Sequence, residues 1–156
     1  MSSSIIHSAK AIHNMAIHQI QSIPEELFDI QAPQFNNTIR WHAGHIIVVL
    51  NHFLSMSIPY SYEVPEGYKG LFGPGTKPAD WDVTPPTKDE LVQQLSEQLE
   101  HLSEVTPDML EETLKSPVDL GSKHFEKAGE LFNFALLHEA MHLGNISSML
   151  KVVKTM

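Results

Sequence analysis

Between Thr38 and Pro59 the chain reads IRWHAGHIIVVLNHFLSMSI, a stretch with no helix breaker and with apolar residues on nearly every face. Asn36, Asn37 and Thr38 offer N-cap side chains in front of it, so the pattern predicts a helix starting near Ile39. A helix that is apolar all round must be enclosed by other elements, and imidazoles carried on it must find partners or a ligand. His42, His45 and His52 lie on this helix.

The enclosing elements are legible in the same way. Ile5, Ile6, Ala9, Ile12, Ala16, Ile17 and Ile20 recur at three- and four-residue spacing and predict a helix over 4–21 that Pro24 ends, with His7, His18, Gln19 and Gln21 on its solvated side. Thr87 and Glu90 form a capping-box pattern ahead of Leu91, Leu95, Leu99 and Leu102, a third long helix expected to stop near Thr106 and Pro107. Leu131, Phe134, Ala135, Leu137, His138, Met141, His142, Ile146, Met149 and Leu150 mark a fourth, from about 128 to 151. Residues 107–126 suggest a short helical piece followed by an extended segment or turn at Pro117 and Gly121. From Ile58 to Pro86, prolines and glycines alternate with Tyr60, Tyr62, Tyr68, Phe72 and Trp81, the texture of a long crossover packed onto the body of the protein. The expectation is an all-α fold of four long helices, in a single domain spanning residues 1–156.

Composition narrows the chemistry. Ten Lys and Arg stand against 19 Asp and Glu, a formal charge of -9, and Arg40 is the only arginine. That balance argues against nucleic acid or an anionic membrane as partner. The absence of cysteine removes disulfides, thiolate metal sites and cysteine nucleophiles. The start MSSSIIHSAKAIHNM lacks the pattern of a leader, and the longest uncharged apolar run, IIVVL at 46–50, is far shorter than the roughly 20 residues needed to cross a bilayer, so a soluble cytoplasmic protein is expected. Histidine is over-supplied, with ten in 156 residues.

Two of the ten stand out. In LLHEAMHLGNI, residues 136–146, His138 and His142 lie one helical turn apart and can reach a single ion. The segment also reads as HExxH, but no His, Asp, Glu or Cys follows between Leu143 and Met156 to complete a zincin site. Read as ExxH it lacks the second copy that a di-iron bundle needs. Glu139 points about 100° from His138 around the helix and is expected in solvent, or else as a supporting partner or base. A third ligand must come from earlier in the chain, where His42, His45 and His52 are candidates and Gly44 would allow another element to approach closely. Three neutral imidazoles would bind one divalent ion, Zn, Ni, Mn or Fe, and leave coordination positions open for water or a thiol.

The motif W-x-x-G-H-I, as Trp41, Gly44, His45 and Ile46, together with H-x-x-x-H-x-G-N-I, as His138, His142, Gly144, Asn145 and Ile146, resembles the DinB/YfiT-like metalloenzyme superfamily. Asn145 stands where that family often has Gln. The resemblance implies an up-down-down-up four-helix bundle with a long crossover between the second and third long helices. It also implies one divalent metal held by His45, His138 and His142, which leaves His42 and His52 to support or packing. Activities in the superfamily include thiol S-transfer from bacillithiol, mycothiol or glutathione, thiol-dependent isomerisation, and hydrolysis. The expectation is therefore a metal-dependent transferase or hydrolase acting on a small molecule, with a low-molecular-weight thiol as candidate cosubstrate and a homodimer as candidate assembly. The competing expectation is a non-catalytic metal-binding bundle whose aromatic crossover mediates protein association. A catalytic site would keep a cleft lined by residues of the 60–82 segment, whereas a structural one would be closed by a fourth protein ligand.

Overall fold

The computed structural model describes residues 1–156. It is mostly helical, with six α-helices and one two-stranded sheet: α1 (Ser2–Ser22), α2 (Ile39–Ser57), α3 (Tyr68–Phe72), α4 (Lys88–Leu102), α5 (Pro107–Glu111), β1 (Thr113–Leu120), β2 (Lys123–Lys127) and α6 (Ala128–Val153). No helix is long and apolar enough to cross a membrane.

Local chemistry starts the helices where the sequence places their caps. Thr38 Oγ1 accepts from the Trp41 amide at 3.2 Å and opens α2. At α4 the box closes in both directions, Glu90 N–H to Thr87 Oγ1 at 3.2 Å and Thr87 N–H to Glu90 Oε2 at 2.7 Å. α2 is the central element, with every residue from Ile39 to Asn51 buried. Arg40 fixes its first turn by donating two parallel bonds of 2.8 Å to the Asp29 carboxylate and a third of 2.7 Å to the Pro86 carbonyl. The one arginine is thus spent on holding the chain before α2 and the chain before α4 together.

Contacts between the long helices set their directions. Lys88 and Leu95 of α4 meet the end and middle of α1, at Gln21 and His13 respectively, so these two run antiparallel. Gln19 reaches Leu143 and Ser147, while His13 meets Glu139, so α1 and α6 run in parallel. α2 runs against α6, with His45 beside His138 and His142 and Phe53 beside Phe134. Two apolar clusters fill the interior. One is centred on Ile20, Ile39, Ile46, Phe72, Leu91 and Ile146, the other on Val49, Phe53, Leu54, Leu102, Leu131 and Phe132.

The all-α expectation needs one correction. Residues 113–127 form an antiparallel hairpin pairing Val118 with Phe125 and Leu120 with Lys123, and its register shifts between Thr113 and Val118. Pro117 falls in that irregular stretch, where a residue without an N–H is tolerated, and Gly121 turns the chain with φ +62°. The crossover between α2 and α4 is held by two indoles, one on α2 and one of its own. Trp41 Nε1 donates to Thr76 Oγ1, and Trp81 Nε1 to the Leu71 carbonyl, each at 2.9 Å.

Candidate metal centre

The facing sides of α2 and α6 bring three histidines together. Candidate ligand atoms of His45, His138 and His142 all lie within 4.8 Å of one another. His138 and His142 share one face of α6 because they are four residues apart, and their Nε2 atoms approach to 3.1 Å. Two nitrogens at about 2.0–2.1 Å from a common ion, on adjacent positions, stand about 2.9–3.4 Å apart, so this spacing suits ligation without rearrangement.

The outer nitrogens of two rings are already engaged, which fixes where the inner ones point. His45 Nδ1 lies 2.7 Å from the Phe72 carbonyl, and since a carbonyl only accepts, Nδ1 carries the proton and Nε2 keeps its lone pair. Phe72 reaches this position because residue 44 is glycine: a Cβ there would sit 2.3–2.4 Å from the Phe72 ring. The close approach expected at Gly44 is therefore made by the crossover helix α3. Trp41 stacks on the other side of His45, centroids 4.3 Å apart and planes 16° from parallel. Behind His142, its Nδ1 meets His42 Nδ1 at 2.9 Å, so His42 backs His142 from outside the cluster. His52 is exposed and takes no part.

Electrostatics keep these rings neutral. Burial is the main cause, followed by mutual repulsion: His142 is pushed down to about 3, chiefly by burial and then by His45, His138 and His42. His138 falls to about 4 through burial and His45, and His42 also to about 4 for the same two reasons. His45 is lowered by burial, with the Phe72 carbonyl opposing. No carboxylate belongs to the cluster. Buried neutral imidazoles with converging lone pairs and no anion are a donor set for a cation, and the residues present fit a divalent ion. His42 and His45 are 7% and 4% exposed and His142 is 8% exposed, while His138 is only half-buried and is the ring nearest solvent.

Glu139 is not in solvent. It is 2% exposed and lies on the neighbouring face of α6, turned toward α1, where Oε1 meets His13 Nδ1 at 2.7 Å. The other nitrogen of His13 donates to the Leu95 carbonyl at 2.8 Å, so Nε2 carries a proton and the ring ties α1 to α4 and α6. Burial pushes His13 down, but the charge and hydrogen bond of Glu139 outweigh it and the net shift is upward. Glu139 therefore serves the packing of α6 rather than the three-histidine cluster. A signal for the pair was present, since residue 13 falls in the Ile6, Ala9, Ala16, Ile20 stripe where an apolar side chain is expected. A cleft lined by the crossover exists, but at α4: hollows of about 340 and 440 Å³ border Tyr60 and Tyr68, not the histidine cluster.

A family model described as the DinB superfamily matches residues 10–146, which includes α2, the crossover, α4 and all three clustered histidines. No curated protein matches the chain. With the matched segment spanning most of its length, the chain belongs to the DinB superfamily.

Proposed function

We propose that this protein is a divalent-metal-dependent enzyme of thiol S-transferase or hydrolase type, built on a four-helix bundle in which α1, α2, α4 and α6 run up-down-down-up. His45, His138 and His142 would hold the ion and leave part of its coordination sphere open. The observation that carries this reading is the convergence of three neutral imidazoles without a carboxylate, at a place where one ring reaches the surface.

When bound, Zn, Ni, Mn or Fe supplies Lewis acidity that makes a water or a low-molecular-weight thiol nucleophilic near neutral pH. The chain's own residues do the rest. The Phe72 carbonyl holds the His45 tautomer, His42 steadies His142, and the Trp41 ring covers one face of His45. Phe53, with its ring 6.0 Å from His138 and 5.6 Å from Phe134, would bound a small-molecule substrate on an apolar side. A charge of -9 supports neither nucleic acid nor an anionic membrane as partner, and the proposed compartment is the cytoplasm.

The test is elemental analysis of untagged protein beside the His138→Ala, His142→Ala double variant, followed by ester-hydrolysis and thiol-consumption assays with and without chelator. About one equivalent of divalent metal, lost in the variant, with chelator-sensitive turnover, is the expected result. Metal-free protein that stays metal-free after reconstitution would overturn it.

One observation favours a second reading, association without catalysis. Leu137 and Met141 are 56% and 58% exposed on α6, and Gly144 and Ser148 extend the same uncharged outer face. A homodimer through α6 would cover it. Sedimentation of the wild type against Leu137→Glu would separate a dimer disrupted by the charge from a chain that is monomeric throughout.

A further inference from the structure

A second cluster of aromatic rings lies at the other end of α2, about 20 Å along the helix from His45. Tyr60, Tyr62 and His101 sit with ring centroids 5.6–6.2 Å apart and planes inclined by 50–67°, so none stacks flat on another. Tyr60 and His101 line the cleft of about 340 Å³, whose apolar wall is Ile58, Pro59, Val105 and Met109. The Tyr60 hydroxyl is buried without a hydrogen-bond partner, which is costly for a phenol unless something else accepts or donates there.

The fixed charges of the cleft are negative, and its one base is His101, whose Nδ1 lies 3.8 Å from Glu104 Oε2. α2 and α4 run the same way, so the C-terminal ends of both helices meet here, at Ile58 and at His101–Val105. Helix C-termini carry partial negative charge and favour cations. Glu104, in the turn that follows α4, adds a carboxylate to the lining. No Lys or Arg lines the cleft. Aromatic faces, a carboxylate, two negative helix ends and an apolar wall together suit an alkylated ammonium ion and disfavour an anion.

We propose that this cleft, formed by the start of the crossover and the end of α4, is a binding site for a small organic ammonium ion, held over Tyr60 and His101 beside Glu104. The site is independent of the histidine cluster and of the reading given to it.

Choline and its neutral isostere 3,3-dimethylbutan-1-ol separate charge recognition from apolar filling. Each is titrated into the full chain at constant ionic strength, and the Met109 methyl and the ring resonances of Tyr60 and His101 are followed by NMR. Choline is expected to shift these resonances saturably and to bind about tenfold more tightly than the alcohol. Glu104→Gln, at a side chain 75% exposed and so without consequence for folding, should weaken choline severalfold and leave the alcohol unchanged. Tyr60→Leu, which keeps the apolar volume but removes the ring face, should abolish the preference for choline. Equal affinity for the two probes, no saturable shift, or choline shifts scattered over the acidic surface and erased by salt would each overturn the proposal.

Discussion

α6 carries two histidine systems on neighbouring faces, less than one helical turn apart, and the protein treats them in opposite ways. On the α2 side, His138 and His142 meet His45 with no carboxylate present, and burial with mutual repulsion holds their rings neutral. On the α1 side, Glu139 meets His13 at 2.7 Å, and its charge raises the ring against burial. The difference is whether an anion was buried with the imidazole. A histidine given its own carboxylate is satisfied and serves the fold. Rings buried together without one have only each other as partners, an arrangement whose cost a cation would offset in the proposed metal site.

The largest effect should come from breaking the first system. His45→Ala removes one of the three proposed ligands, and a third of the roughly 10–16 kcal/mol typical of bound structural zinc is about 3–5 kcal/mol, on the order of a thousandfold in affinity. Competition with a chromogenic chelator measures it, and His52→Ala, at an exposed position of the same helix, should change nothing. Breaking the second system should instead cost the metal-free fold. Glu139→Ala leaves His13 buried without its partner, an expected loss of about 3–5 kcal/mol in urea unfolding, whereas the His13→Leu, Glu139→Leu double variant should recover most of it. A loss below about 1 kcal/mol in Glu139→Ala would show that the pair contributes little to the fold.

A smaller change sharpens the comparison from within the cluster. Gly44→Ala pushes a methyl group to within 2.4 Å of the Phe72 ring, which must retreat and carry its carbonyl away from His45. Stability should fall by about 1–3 kcal/mol and metal affinity by about tenfold, read in parallel melts and chelator titrations. Unchanged affinity alongside the lost stability would mean that the Phe72 carbonyl does not orient His45.

The same comparison also predicts a pair of opposed pH slopes in the chelator-treated protein. Below 6.5 the unfolded chain takes up protons that the folded His138 and His142 refuse down to about 4 and about 3, so stability falls as pH falls through that window. His13 has the reverse sign: its folded ring holds a proton more tightly than the unfolded one, so its contribution is complete below 6.5 and is lost as pH rises through its raised value. The His138→Ala, His142→Ala double variant should flatten the acid limb, and the leucine double variant at 13 and 139 the alkaline limb. Identical profiles in all three proteins would contradict the distinction.

Much of this was legible in the chain itself. The stripes at 5–20, 91–102 and 131–150, with the unbroken apolar run at 39–56, determine four long helices, because each periodicity leaves one set of residues to be buried. The cap at Thr38 and the box at Thr87 and Glu90 fall where the side-chain chemistry puts them. The four-residue spacing of His138 and His142 needed only helix geometry to become a pair. The hairpin at 113–127 was visible only as Pro117 and Gly121, since its strands alternate too weakly to be told from a loop.

Which residues meet across helices was decided by tertiary structure alone. Periodicity says that Glu139 lies off the His138 face, but not whether solvent or His13 awaits it, because that depends on where α1 packs and on what residue 13 presents there. Likewise three histidines of α2 were candidates for the third position. The rotation of α2 against α6, set by Phe72 seating on Gly44 and by Arg40 clamped to Asp29, brings His45 into the cluster, places His42 behind His142 and leaves His52 in solvent. Local sequence determines the faces a helix offers; only the packed ensemble of faces determines which of them meet.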